Sequence, residues 1–317
     1  QFNECFIVEG RKNGKTTETA SVEIDTLVND GEGAPQIYNI ATMLDQAKLA
    51  EKSIPTDQGI PYAVCSEQMS QDYVNHRIFV SELDSALIKG EFLPYFQPIV
   101  DAKTGKIVSA EALIRWQHSE RGMIPPGQFI PVFEKEGLTT KLDSFMVNSV
   151  LNFNINRMKN GQKVIPCAVN LSRVDFYDTK LLDMLKEKLK NLENVQDMLK
   201  LEITESAYAV LESDALDFLE EMRKQQLSFL LDDFGSGYTT FGDLQNLDIS
   251  IIKIDKSITQ NSVTETGFKI LKNIIQTAKD IGFKTLCEGI ETKEQEDAVI
   301  EAGCDLLQGF YYYKPMS

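Results

Sequence analysis

From residue 94 to the C-terminus, apolar runs of strand length recur along the chain, and each carries or ends in a polar or charged residue. PYFQPIV carries Gln97, IVSAEALIRW carries Glu111 and Arg115, and KVIPCAVNLS carries Asn170. LKLEITES carries Glu202 and Glu205, and SFLLDDFG carries Asp232 and Asp233. IIKIDKS follows with Lys253 and Asp255, KTLCEGIE with Glu288 and Glu291, and LLQGFYY with Gln308. Between the runs, apolar residues spaced three and four apart predict helices over 140–158, 179–191, 208–226, 262–281 and 292–303. Gly282 and Gly303 supply stop signals for the last two. Eight strands alternating with helices predict an α/β fold closed into a TIM-like (β/α)8 barrel. No GxGxxG turn supports a dinucleotide-binding sheet. Functional residues of such a barrel collect at the C-terminal ends of its strands, where the polar positions are expected to lie.

Residues 1–85 have a different texture. SVEIDTLV alternates as a strand does, IYNIATMLDQAKLAEKS has helical spacing, and IPTDQGIPYAV reads as a turn and a strand. The expected organisation is a small α+β segment over 1–85 and a barrel over 86–317.

Composition narrows the function. The 317 residues carry a formal charge of −16, which argues against binding a DNA or RNA duplex. A phosphate-bearing ligand would need cations and a few placed Arg or Lys residues to offset that charge. Five scattered cysteines without a CxxC pair read as reduced thiols, and a cytoplasmic setting is expected, alone or as the cytoplasmic part of a larger protein. No apolar stretch is long enough to span a bilayer, so no membrane contact is expected within this chain. His76 and His118 are too few for a histidine-rich zinc site.

Glu111, Asn170, Glu202 and Asp232 offer oxygen donors near the ends of four successive predicted strands, a set suited to hard divalent cations. Asp233 beside Asp232 adds a second cation position if the chain turns there, and FGSG, with Gly235 and Gly237, offers that turn. Two cations about 4 Å apart can clamp a phosphodiester and activate water. Any one of these acids alone would read equally well as a surface ion pair; their common placement is what favours a single site. Lys253 shares a strand face with Asp255 and is expected to enter the acid cluster. Arg115, on the face of Glu111, is either a phosphate clamp or a rim salt bridge. Phe310, Tyr311, Tyr312 and Tyr313 read as core filling, with stacking on a base as the alternative. Cys167 and Cys287 read as core residues, and His118 receives no role.

These motifs together resemble the EAL-domain phosphodiesterases, which hydrolyse the bacterial second messenger cyclic di-GMP. YFQPIVD, EALIRWQH, GQFIPVFEKEG, VNLS, LEITES, LDDFGSGYTTF, IIKID, CEGIE and QGFYYYKP occur in the order and approximate spacing of that family, over about 90–317. The resemblance implies a modified (β/α)8 barrel that uses one or two Mg²⁺ or Mn²⁺ ions, is inhibited by Ca²⁺, and cuts cyclic di-GMP to linear pGpG. It implies Glu111, Asn170, Glu202 and Asp232 as ligands of a first metal, and Asp232, Asp233 and Glu288 around a second. It further implies that Lys253 positions water, with Glu288 either a ligand or the base that activates it. Glu205 would brace the DDFGSGYTTF loop, Gln97, Arg115 and Gln308 would contact the nucleotide, and the barrel would form a homodimer. CEGIE in place of AEGVE, the QGFYYYKP ending and Asp248 where proline is frequent remove no ligand. Residues 38–85 resemble more weakly the end of a GGDEF diguanylate-cyclase domain without its signature, or else form an unrelated extension. Two other readings stand beside hydrolysis: a catalytically silent cyclic di-GMP receptor, and a barrel hydrolase acting on a different phosphodiester.

Overall fold

Strands buried on both faces are apolar nearly throughout, and Ile249–Ile254 and Phe229–Phe234 have that character. They belong to a computed structural model that describes residues 7–9, 62–64, 67–190, 197–209, 213–235 and 249–317. The chain divides into two compact units, Gln1–Asp84 and Ser85–Ser317. In the first, β1 (Ile7–Glu9) pairs antiparallel with β2 (Tyr62–Val64), and α1 (Glu67–Lys89) then leads across the boundary. The expected strand over SVEIDTLV and the helix over IYNIATMLDQAKLAEKS lie outside the described residues.

The second unit runs β3 (Phe92–Asp101), β4 (Ile107–His118), β5 (Gly122–Ile124), α2 (Pro126–Lys135), α3 (Thr139–Lys159) and β6 (Cys167–Asn170). After the 3₁₀ turn Arg173–Tyr177 come α4 (Thr179–Leu189), β7 (Leu199–Thr204), α5 (Glu205–Tyr208), α6 (Ser213–Lys224), β8 (Phe229–Phe234) and β9 (Ile249–Ile254). The last elements are α7 (Lys256–Asn261), α8 (Glu265–Ile281), β10 (Lys284–Cys287), α9 (Lys293–Glu301) and β11 (Leu306–Leu307). Pairing runs β3-β11-β10-β9-β8-β7-β6-β4 and closes through β3–β4, so eight strands form a barrel. Seven are mutually parallel where they pair, whereas β3 is antiparallel to both neighbours. This corrects the expectation that all eight polar positions lie at the C-terminal ends of like-directed strands. Gln97 sits in the middle of β3, opposite Glu111.

The helices follow the predicted periodicity with shifts at their ends. The run 208–226 corresponds to α6, with residues 210–212 outside the described set and α5 ending at Tyr208, and the run 262–281 corresponds to α8, with the short α7 preceding it. Thr264 caps α8 by accepting from Gly267 N at 3.0 Å, and Gly282 ends it at φ 105, in the left-handed region that glycine tolerates. Helix α2 is not among the predicted helices; Pro126 stands at its start, where proline is tolerated, and Pro131 lies inside. The β4–β5 hairpin is likewise an addition to the barrel plan.

Alternate residues of the strands serve two layers. Outward positions such as Val169, Leu201, Leu231 and Ile252 pack with Val147, Val150, Leu185, Phe218 and Met222 of the surrounding helices. Inward positions Ile99, Ala168, Leu230, Ile251, Leu286 and Leu306 meet one another and plug the barrel. Two residues further along these strands, on the same face, stand Asn170, Asp232, Lys253, Glu288 and Gln308. On the reversed strand β3 the partner of Ile99 is Gln97, two residues before it. Among the described residues no helix is long and apolar enough to cross a membrane.

Candidate metal centre

The polar storey is organised around Lys253. Its side chain is 1% exposed, and its ammonium lies 2.7 Å from Glu288 Oε1, 2.9 Å from Glu202 Oε2, 3.0 Å from Asp232 Oδ1 and 3.5 Å from Glu111 Oε2. One positive charge thus faces four negative ones, buried just inside the mouth of the barrel. Burial alone would discharge the lysine, but the four carboxylates outweigh it and hold its pKa well above the ordinary value. The carboxylates remain undercompensated. Burial, reinforced by Glu111 and Asp232 and opposed by Lys253, pushes the fully buried Glu202 well above the usual carboxylate range. Burial likewise lifts Glu288 to about 8, against the pull of Lys253. Glu202 Oε1 is buried without a hydrogen-bond partner. An orphaned oxygen amid excess negative charge is costly unless a cation joins it.

Donor geometry supports two adjoining cation positions. One oxygen from each of Glu111, Glu202 and Asp232 lies within 4.8 Å of the others, and the same holds for Asp232, Asp233 and Glu288. All donors are oxygen, the set a hard divalent ion takes. Asn170 borders the first group, its Nδ2 donating to Glu111 Oε1 at 3.1 Å, and its amide oxygen adds a neutral donor. Gln308 Nε2 donates to the other oxygen, Glu111 Oε2, at 2.8 Å, while its own Oε1 is buried without a partner.

Asp233 shares the site by a turn earlier than the glycines. Leu231 pairs with Ile252 and Phe234 with Ile254, so Asp232 and Asp233 together oppose Lys253 in a bulge. Asp233 itself has φ 56, a left-handed conformation that aspartate tolerates better than most residues, and its N–H donates to Asp232 Oδ1 at 2.9 Å. Gly235 follows at φ 95 and donates its N–H to the buried Glu205 Oε2 at 2.9 Å, while Gly237 and the rest of the loop to residue 248 lie outside the described residues.

Other expected residues fall elsewhere. Asp255 caps α7, accepting from Ser257 N at 2.8 Å, so the face-sharing argument placed Lys253 correctly but with the wrong acid. Glu291 is exposed beyond the site. Gln97 is buried and donates to the Tyr313 carbonyl at 3.2 Å. Arg115 makes no ion pair among the described residues; its Nη1 donates to the Ile114 carbonyl at 2.8 Å, and its guanidinium carbon lies 5.6 Å from the Tyr95 ring centroid. Phe310, Tyr311 and Tyr313 are exposed rather than core, which corrects the expectation for those three, whereas Tyr312 is half-buried and packs against the core as expected. Cys167 and Cys287 are buried thiols as anticipated. His118 is buried at the end of β4, where Nδ1 accepts from Glu120 N and Arg121 N.

A cavity of about 340 Å³ was not foreseen. It is lined by Leu171, Ser172, Thr204 and Glu134 among others, immediately past Asn170 and Glu202 in the chain. Its volume is that of a small-ligand pocket. The signal available in sequence was the pair of hydroxyl residues two positions beyond those ligand candidates.

A closed barrel with an oxygen-rich, cation-competent mouth defines a class of metal-dependent barrel proteins. The EAL domain family model matches residues 80–315, and the chain belongs to that family. It is 32% identical over 253 residues to the cyclic di-GMP phosphodiesterase PdeL of Escherichia coli, covering 78% of this chain and 69% of that protein. It is 30% identical over 257 residues to the bifunctional diguanylate cyclase/cyclic di-GMP phosphodiesterase MucR of Pseudomonas aeruginosa, covering 80% of this chain but 37% of the relative. The solved structure of the MucR phosphodiesterase in complex with c-di-GMP superposes at a TM-score of 0.68 and 30% identity, covering 75% of this chain and 97% of that one. A separate model, for the ATPase domain of terminase large subunits, matches residues 1–65, so the cyclase-like expectation for the N-terminal segment gains no matching model there.

Proposed function

We propose that this chain hydrolyses cyclic di-GMP to linear pGpG. The observation that carries the proposal is one buried lysine among four carboxylates, with Glu202 Oε1 orphaned, in a family whose relative PdeL bears that activity. Glu111, Asn170, Glu202 and Asp232 would hold a first Mg²⁺ or Mn²⁺, and Asp232, Asp233 and Glu288 would hold a second. When bound, these ions supply the charge that grips phosphodiester oxygens and lowers the pKa of water. Lys253 orients the attacking water from beneath and keeps the carboxylates from repelling one another when cations leave. The water oxygen adds to one phosphorus as the P–O3′ bond breaks; one water proton ends on O3′ and the other stays on the new phosphate or is released to solvent, leaving a 5′-phosphate and a 3′-hydroxyl. Glu288 is assigned as a ligand rather than the base, because its oxygen groups with those of Asp232 and Asp233. Gln97, Arg115 and Gln308 contact the nucleotide, and the cavity past Asn170 and Glu202 gives room for a base.

Glu205 braces the loop after Gly235, and a cytoplasmic homodimer through the barrel, with Ca²⁺ as an inhibitor, completes the reading. Residues 1–85 are assigned as a degenerate cyclase-like segment on the weak likeness of residues 38–85 to the end of such a domain. No synthesis of cyclic di-GMP is expected from it. Incubating the purified chain with cyclic di-GMP and Mg²⁺ or Mn²⁺ should yield pGpG by chromatography. Tight binding without product with either ion would establish the receptor reading instead, and turnover of another dinucleotide in its place would redefine the substrate.

A further inference from the structure

The geometry points to Tyr95 as the positioning residue for Arg115, resting on the reading of Arg115 as a substrate clamp. Tyr95 faces Leu113 across the β3–β4 ladder, and Leu93 faces Arg115, so Tyr95 and Arg115 are diagonal neighbours. Diagonal pairs in a sheet lie within reach of an aromatic ring and a long side chain. The guanidinium carbon sits 5.6 Å from the Tyr95 ring centroid, within cation–π range.

The contact answers a specific electrostatic hazard. Arg115 and Glu111 share a face of β4, four residues or about 13 Å apart along the strand. Partial burial works against the charge of the guanidinium, and Glu111 attracts it. Left to itself, a flexible arginine would fold toward the undercompensated carboxylates, occupy a cation position and abandon the rim. Tyr95 and the Ile114 carbonyl hold it above the cluster. Among the described residues the rest of the guanidinium fork has no protein acceptor, which leaves N–H donors of the kind that suit a phosphate. Tyr95 also lies two residues from Gln97 on the same strand face, so one face of β3 serves both proposed nucleotide contacts.

The test is steady-state kinetics with cyclic di-GMP on the full chain, comparing Tyr95→Leu, Tyr95→Phe, Arg115→Ala and the Tyr95→Leu/Arg115→Ala double variant. Tyr95→Leu should raise KM about three- to tenfold with kcat within about twofold, the size of a partly desolvated cation–π contact. Tyr95→Phe keeps the ring and should match the parent. Arg115→Ala should raise KM at least as much as Tyr95→Leu, and the double variant should equal Arg115→Ala alone. An unchanged KM in Arg115→Ala would remove the clamp reading. A raised KM there, with Tyr95→Leu unaffected or additive, would overturn the positioning role while leaving the clamp intact. Should Tyr95→Leu melt early, a raised KM in Tyr95→Phe, which keeps the volume and the ring, would equally overturn it.

Discussion

Two storeys of the same barrel lie two residues apart and have opposite chemistry. The lower, Ile99, Ala168, Leu230, Ile251, Leu286 and Leu306, is apolar and closed. The upper, with Glu111, Glu202, Asp232, Lys253 and Gln308, is almost equally buried yet charged. Burial therefore does not separate scaffold from site here; what separates them is whether the buried groups are satisfied. The lower storey gains from leaving water, at about 25 cal/mol per Å² of apolar surface. The upper one loses until a cation arrives, and that unmet demand is what makes it a binding site.

The difference can be pressed hardest at Glu111. Glu111→Ala should lower turnover at least about a hundredfold while leaving the fold intact, since it removes a donor and unties Gln308 and Asn170. Turnover at parental rates would remove Glu111 from the centre. One storey down, Leu230→Ala should cost about 2–5 kcal/mol of stability by opening a cavity. The apparent cation affinity of its folded fraction, read by titration, should stay within about threefold of the parent. Between these lies a pH experiment on protein stripped of cations with chelator. Folded Glu288 keeps its proton up to about 8, whereas an unfolded chain releases it near 4.5. Glu202 and Asp233 are raised in the same sense. Such groups stabilise the folded state at low pH, so melting temperature should fall as pH rises from about 4.5 to about 8. Carboxylates with lowered values, such as Asp101 and Glu296, act below that window. Added Mg²⁺ or Mn²⁺ should flatten the slope, and a stripped protein whose melting temperature climbs with pH would contradict the buried cluster. The smallest effect is expected at Asp255→Ala, about 1 kcal/mol from a lost helix cap with turnover unchanged. A large kinetic defect there would return Asp255 to the site.

Much of this contrast was legible in the chain. Side-chain alternation placed Glu202, Asp232 and Lys253 on strands, and hard-cation chemistry grouped them, because a period of two is written directly in the residues. Strand direction is not written there: alternation is identical read either way, so the reversal of β3 emerges only from its pairing with β4 and β11. Helix α2 was hidden by prolines that break most helices, although Pro126 occupies the helix start, where proline is tolerated. The turn at Asp233 was assigned to the following glycines, since φ above zero in a non-glycine residue depends on the bulge that surrounds it. Asp255 shares the alternation of Lys253, but the strand ends at Ile254 and its carboxylate turns to a helix instead.

The reversal of β3 has a consequence for how the barrel is wired. In an all-parallel barrel the first strand would start at the floor, a full strand length from the chemistry. Here it starts at Phe92, opposite Trp116 and five residues past Glu111 on β4, so the polypeptide is threaded in through the rim. Helix α1 ends at Lys89, so only Gly90 and Glu91 separate it from the strand that carries Tyr95 and Gln97, and the chain reaches the chemistry within six residues of leaving that helix.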